Sequence, residues 1–386
     1  REHHVLDMAG LAQRAGTMVS AVMLGAVAGS GLLPFPRAAY EAVINASVTP
    51  TLTSIENVTV TNVTTASVID LANATGLVNF TNQASTVGLT ISGISKTVAV
   101  TVRDTTTAAQ NINYNDVTGT TDSATVTVAN ITGGNAGTLV IPGVESLTLN
   151  SIGSVVNAFG ITSAATKTLA ITGNKGITLG TLGATITAID ASASTGTGAD
   201  GISFTLGATT SSTITGAGGN DSITVGSSSG TDSINAGGGN DTVTFTANFT
   251  NTDSVNGGDG TDTLTLVVAN ATGYTKPTVA TVSGFERIAI SDTFTGAVTL
   301  TTADIQAGID RVNLVAGNTG ADFIVMEAGA KTVAFGAANG AGLLTISDTG
   351  VATNDSLTLL NSLATGDVFV AQGITVNGYE TVNITT

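Results

Sequence analysis

The sequence contains no cysteine and no tryptophan, and its only histidines are His3 and His4. Without cysteine the fold cannot lean on disulfides or on thiolate metal sites. With no Trp and only 4 Tyr, the usual stacking platforms for sugars or bases are missing, so a reader of aromatic ligands is not expected. Charge is scarce as well. Only 10% of residues are charged, yet Asp and Glu outnumber Lys and Arg by 27 to 11, for a formal net charge of -16. That surplus argues against nucleic acid and anionic membrane as partners and makes a counter-cation, calcium above all, the natural one. The shortage of histidine also disarms the motifs that look catalytic. GSSSG at 226–230 satisfies G-x-S-x-G but has no histidine after it. GTGADG at 196–201 satisfies G-x-G-x-x-G, but no helical pattern follows it, and there is no H-E-x-x-H. No enzyme is expected.

What the chain does have is length and β texture. Its 386 residues, 42% hydrophobic, suffice for two or more domains. Residues 15–33 form a charge-free run close to the ~20 residues that span a bilayer. Four glycines, two serines and a threonine in that run favour a buried helical hairpin over a signal or anchor, so residues 1–45 are read as a short helical, small-residue segment. From about residue 46 the chain turns to Thr, Val, Ile, Asn and Gly, and stretches such as VTVTNV (58–63), ATVTVANI (124–131) and SLTLNSI (146–152) alternate as half-buried strands do.

Two repeats order these strands. The first places an acid before an alternating apolar pair, in SIENVTV (54–60), GVESLTL (143–149), GFERIAI (284–290), GIDRVNL (308–314) and GYETVNI (378–384). In an unbroken strand the acid would share the apolar face, so either the chain turns there or the carboxylate accepts backbone N–H groups at the edge of the core. The second repeat is rich in glycine: TGTGADGISF, TGAGGNDSITV, NAGGGNDTVTF and NGGDGTDTLTL align their acids as Asp200, Asp221, Asp241 and Asp262, spaced 21, 20 and 21. Weaker centres at Ser212, Asp232 and Asp253 fall between them, so the series advances by 12, 9, 11, 9, 12 and 9 residues, two half-turns per turn. Two residues after each centre comes Ile202, Ile214, Ile223, Ile234, Val243, Val255 or Leu264, and four after each strong centre comes Phe204, Val225, Phe245 or Leu266. The expected fold is all-β: an elongated β-solenoid over 46–194, a parallel β-roll with calcium loops over 195–266, and a solenoid continuation over 267–386.

Stacking at ~4.8 Å would set Asp221 over Asp241, and like charges at that range require a counterion. Calcium takes about six to eight oxygens in a tolerant geometry, which glycine-loop carbonyls and Asp carboxylates supply, whereas magnesium holds its waters and zinc prefers His or Cys. The candidate metal-binding residues are Asp200, Gly216, Gly218, Gly219, Asp221, Asp232, Gly237, Gly239, Asp241, Asp253, Gly258, Asp259, Gly260 and Asp262. Fewer or weaker sites are expected on the edge of Ser212, Asp232 and Asp253.

AGGGNDTVTF and GGDGTDTLTL match the GGxGxD nonapeptide of the RTX family, with departures at Ala217 and Ala236. The succession GVESLTL, KTLAITGNKGITL (167–179), AIDASASTGTGADGISF (188–204), the calcium loops and GFERIAI covers about half the chain and more specifically resembles the RTX-type surface-layer (S-layer) proteins of Gram-negative bacteria, the Caulobacter type among them. That resemblance implies type I secretion, folding on extracellular calcium, and tiling of the cell surface as a two-dimensional lattice of copies held through further calcium ions, on cell-surface lipopolysaccharide. It does not reach residues 1–45, which have no evident counterpart of the family's lipopolysaccharide-binding helical domain. The rival expectation is an RTX adhesin or a Thr-rich ice-binding or biofilm-matrix solenoid, from hydroxyl ladders such as TVTV at 125–128.

Overall fold

The structure, a computed structural model, describes residues 49–63, 65–105, 109–132, 137–337, 340, 342–350, 352–363 and 373–386. The segment read as a helical hairpin and the two histidines lie outside these residues. The expected β-solenoid is what the chain forms: among the described residues every strand pairing is parallel. Two eleven-stranded ladders dominate. The first runs from Asn57–Val60 to Val282–Ser283, the second from Asn157–Ala158 to Thr381–Thr385, and over their common span they alternate along the chain as the two strands of each turn.

Each ladder needs a different companion where the other is missing. Before residue 157 the first ladder alternates with a five-stranded ladder from Ser67–Asp70 to Gly160–Thr162; after residue 283 the second alternates with a four-stranded one from Thr299–Thr301 to Gly373–Asn377. The first handover occurs within one extended run, where Asn157–Ala158 opens the new ladder and Gly160–Thr162 closes the old one around buried Phe159. At the second, a six-residue helix α1 (Val268–Gly273) packs against Thr299–Thr301. A four-residue helix α2 (Thr302–Ile305) follows directly. Among the described residues no helix is long and apolar enough to cross a membrane.

The core is a set of in-register apolar columns. In the first ladder Leu147, Leu169, Ile189, Ile214, Ile234, Val255 and Val282 stack; in the second, Ile223, Val243, Leu264, Ile288, Val312, Val333 and Leu359 do, beside Val225, Phe245, Leu266, Ile290, Leu314 and Phe335. These side chains are almost fully buried. Alternation explains why the sequence selects this fold: every second residue of a strand faces inward, and each such side chain contributes about 1.5–3 kcal/mol when buried. Because each turn touches only its neighbours, the chemistry of any corner is repeated along the axis.

A stacked carboxylate corner as candidate cation site

The acids sit where the chain turns into the second ladder. Asp221, Asp241 and Asp262 immediately precede Ser222–Val225, Thr242–Phe245 and Thr263–Leu266, so they share parity with the inward apolar pair and are drawn into the edge of the core. All three are 2% exposed or less. Each meets the backbone of the preceding turn: the N–H of Ile202 donates to Asp221 Oδ1, that of Asp221 to Asp241 Oδ1, and that of Asp241 to Asp262 Oδ1, each at 2.7 Å. The glutamate repeat does the same. Asp262 N–H donates to Glu286 Oε2 at 2.8 Å, Asp122 N–H to Glu145 Oε2 at 2.8 Å, and Asp355 N–H to Glu380 Oε2 at 2.7 Å. At these six positions the two sequence repeats share one device, a carboxylate that caps the strand start of the turn before it, one of the two outcomes the alternation argument allows.

One oxygen per carboxylate suffices for that role, and the other is the distinguishing feature of the roll. Oδ2 of Asp241 and of Asp262 is buried and has no hydrogen-bond partner, and the same is true of Asp232 on the opposite corner. Asp221 differs, because its Oδ2 accepts the N–H of Ala217 at 2.6 Å. Burial pushes the Asp221 carboxyl up to about 6 and Asp241 up to about 7, the latter helped by the charges of Asp221 and Asp262; Asp262 and Asp253 are raised too, again first by burial. A buried acceptor with no donor is costly unless a proton or a cation meets it. The donor set is all oxygen, which suits calcium. Among the described residues no three Asp, Glu or His side chains converge on one point, so an ion here would take about one carboxylate per turn and complete its shell from backbone carbonyls.

The glycines permit the close approach of the turns. A Cβ at Gly216 would lie 2.4 Å from Asp221 Oδ2, and one at Gly219 would lie 2.6 Å from Gly201 N. Gly237, Gly239, Gly258 and Gly260 have positive φ, while Gly218 has only one distant neighbour. Loop backbones bond directly across turns: Gly238 N–H to Ala217 O at 3.0 Å, Asp259 N–H to Gly237 O at 3.0 Å, and Gly239 N–H to Asp259 O at 2.9 Å. Asn220 and Asn240 form a side-chain ladder beside them, accepting from Asn240 N–H and Thr261 N–H. Asp259 itself is exposed at the rim.

Asp200 stands apart from the column. Ser203 pairs with Ser222, which sets Ile202, not Asp200, level with Asp221. Its Oδ2 accepts from Lys175 Nζ at 2.9 Å, and that bond holds the carboxyl below its ordinary value. Both side chains are 24% exposed, so Lys175→Met is expected to cost less than about 1 kcal/mol in thermal unfolding and to raise the Asp200 pKa by NMR titration. On the opposite corner Ser212 Oγ donates to Asp232 Oδ1 at 2.7 Å and Asp232 N–H to Asp253 Oδ1 at 2.8 Å, while Thr250 fills Asp253 Oδ2. Ser228, centre of the GSSSG motif, is 1% exposed and donates to Asp232 Oδ1 at 3.2 Å, which makes it a loop tie.

Sequence reasoning passed over three further acids with an unpartnered buried Oδ2: Asp322, Asp348 and Asp355. NDSLTL at 354–359 repeats NDSITV at 220–225, and that likeness was the available signal. No protein-family model, no curated protein and no solved structure matches this chain.

Proposed function

We propose that this chain is a secreted, calcium-dependent structural solenoid that assembles with copies of itself into a surface layer on the cell. The observation that carries the reading is the pair of stacked, buried, donorless oxygens of Asp241 and Asp262 beside glycine loops. Calcium there would be held by Asp241 and Asp262 with loop carbonyls, and would supply the positive charge that the corner lacks; Asp221, with both oxygens engaged by backbone N–H groups, would contribute less. Asp232 is its counterpart on the opposite corner, whereas both oxygens of Asp253 are already engaged. Because the ion would bind the folded roll alone, its binding energy is folding energy. The chain would stay loose in low cytosolic calcium and fold outside, with lipopolysaccharide as the surface ligand. A long solenoid of parallel ladders suits tiling, and the role is architectural, not catalytic.

Negative-stain imaging with and without a chelator tests this. Ordered sheets are expected in calcium and none after chelation, and Asp241→Ala should abolish them at calcium levels where the parent chain assembles. Identical assemblies in all three samples would remove the reading. A second reading, an ice-binding or adhesive solenoid, draws on two outward hydroxyl columns, Ser203, Ser222, Thr242 and Thr263 beside Thr205, Thr224, Thr244 and Thr265. Thr59, Thr81, Thr101 and Thr127 form a similar column on the other ladder. Thermal hysteresis from a soluble monomer would favour it.

A further inference from the structure

The stacked corner does not account for the acids near the last turns. Asp355 precedes Ser356–Asn361 and is 2% exposed. Its Oδ1 accepts the N–H of Gly329 at 2.7 Å, while Oδ2 is buried and meets no donor. Asp348 ends the strand Leu343–Asp348; its Oδ1 accepts the N–H of Gly350 at 3.2 Å, and its Oδ2 is also buried without a donor. The two carboxyl groups lie within hydrogen-bonding reach of one another, acceptor against acceptor. The Tyr379 hydroxyl is a third buried oxygen without a partner, its pKa raised first by burial and then by the charges of Asp348 and Asp355. Gly378, at φ +89°, completes the cradle: a Cβ there would stand 2.5 Å from Asp348 Oδ1.

Three buried oxygens in one corner thus lack a hydrogen-bond partner, with Gly378 against Asp348 and Glu380 bonded to the Asp355 backbone on either side of Tyr379. Among the described residues no lysine or arginine lies within ion-pair distance of either acid. Glu380 adds negative charge nearby, its Oε2 being engaged by Asp355 N–H. Glycine at 378 leaves open the space that a side chain would fill. We infer that Asp348, Asp355 and Tyr379 form a divalent-cation site of their own, outside the glycine loops, which takes calcium through two carboxylates and the phenol oxygen and ties the corner of the last two turns. The donors are hard oxygens of the kind calcium accepts and zinc does not prefer. This site does not depend on the reading of the glycine loops.

The composition supplies the assay. With no Trp and 4 Tyr in the whole chain, terbium luminescence excited through tyrosine reports only an ion beside a tyrosine, and Tyr379 is beside this one. The full chain, stripped of metal, is titrated with terbium and then with calcium. Sensitised emission is expected, and calcium should displace it. Tyr379→Phe should remove most of the emission, and Asp355→Asn should weaken calcium competition by about tenfold or more. Asp348→Asn should act likewise while its amide donates to Asp355, so that the metal-free variant melts no lower than the parent chain. Asp241→Asn should leave the emission unchanged, which separates this site from the roll. Emission that survives Tyr379→Phe undiminished, or no emission from the parent chain, overturns the inference; in the latter case the two acids share a proton.

Discussion

Gly260→Ala is expected to destabilise the roll by about 4 kcal/mol or more, whereas Gly238→Ala, in the preceding glycine loop, should change stability by less than about 0.5 kcal/mol. Both are loop glycines of the same repeat, but Gly238 holds the variable position of GGxGxD, where Asp259 stands in the next copy, and Gly260 holds a glycine position of the motif. The structure gives the physical reason. Gly260 has φ +138°, where L side chains are strained, and its Cβ would stand 1.6 Å from the carbonyl oxygen of Gly239 in the turn below. Backbone cannot move aside as a flexible side chain would, so the turns must part or the loop must refold. At Gly238 a Cβ would meet nothing within 4 Å and no positive φ is required. Long stacked arrays can unfold piecewise, so an effect confined to two turns is best read locally. Amide hydrogen exchange in Thr242–Phe245 and Thr263–Leu266 reports the affected turns directly. Protection lost in the first variant and kept in the second is the expected pattern. Equal behaviour would mean that the stacking distance does not dictate these glycines.

That pair also marks what could be read from residues alone. The half-turn rhythm and the inward columns were legible, because alternation and spacing are local: Ile223, Val243 and Leu264 fall where the period puts them. The inward parity of the acids was legible for the same reason, and with it the backbone bonds to Glu145 and Glu286. Register was not. Asp200 fits the spacing of the series, yet its strand is offset so that Ile202 lies level with Asp221, and the deciding partner, Lys175, lies 25 residues upstream. The change of ladder at Phe159 and the helix at Val268–Gly273 are likewise settled by what packs beside them, not by any local propensity. The same holds for the donorless oxygens. Alignment shows that Asp241 and Asp262 recur, but not that one oxygen of each is already engaged by backbone and the other left over.

Those leftover oxygens set the second large effect, an inversion of the pH dependence of stability by calcium. In a chelator the chain is expected to melt about 5 °C higher at pH 5 than at pH 7.5. The sign follows from the direction of the shifts. Burial raises the Asp221 carboxyl to about 6 and Asp241 to about 7, so the folded chain keeps protons that an unfolded chain releases above about pH 4. Stability from such groups is complete below the unfolded value and is lost as pH rises through the folded one, so the loss falls between about pH 4 and pH 7. Each pKa unit corresponds to about 1.4 kcal/mol, so the two buried carboxyls together withdraw about 4 kcal/mol between pH 5 and pH 7.5. Calcium needs the carboxylate, not the acid, so it binds best where the protons have left. At 100 times its dissociation constant a bound ion adds about 2.7 kcal/mol per site, and two or more sites outweigh the loss. The order should then reverse, with the higher melting point at pH 7.5. Asp241→Asn is neutral at every pH and should flatten both profiles. A chelated chain that is already more stable at neutral pH would show that these carboxyls are not held protonated in the fold; a profile that calcium leaves unchanged would show that no ion meets their free oxygens.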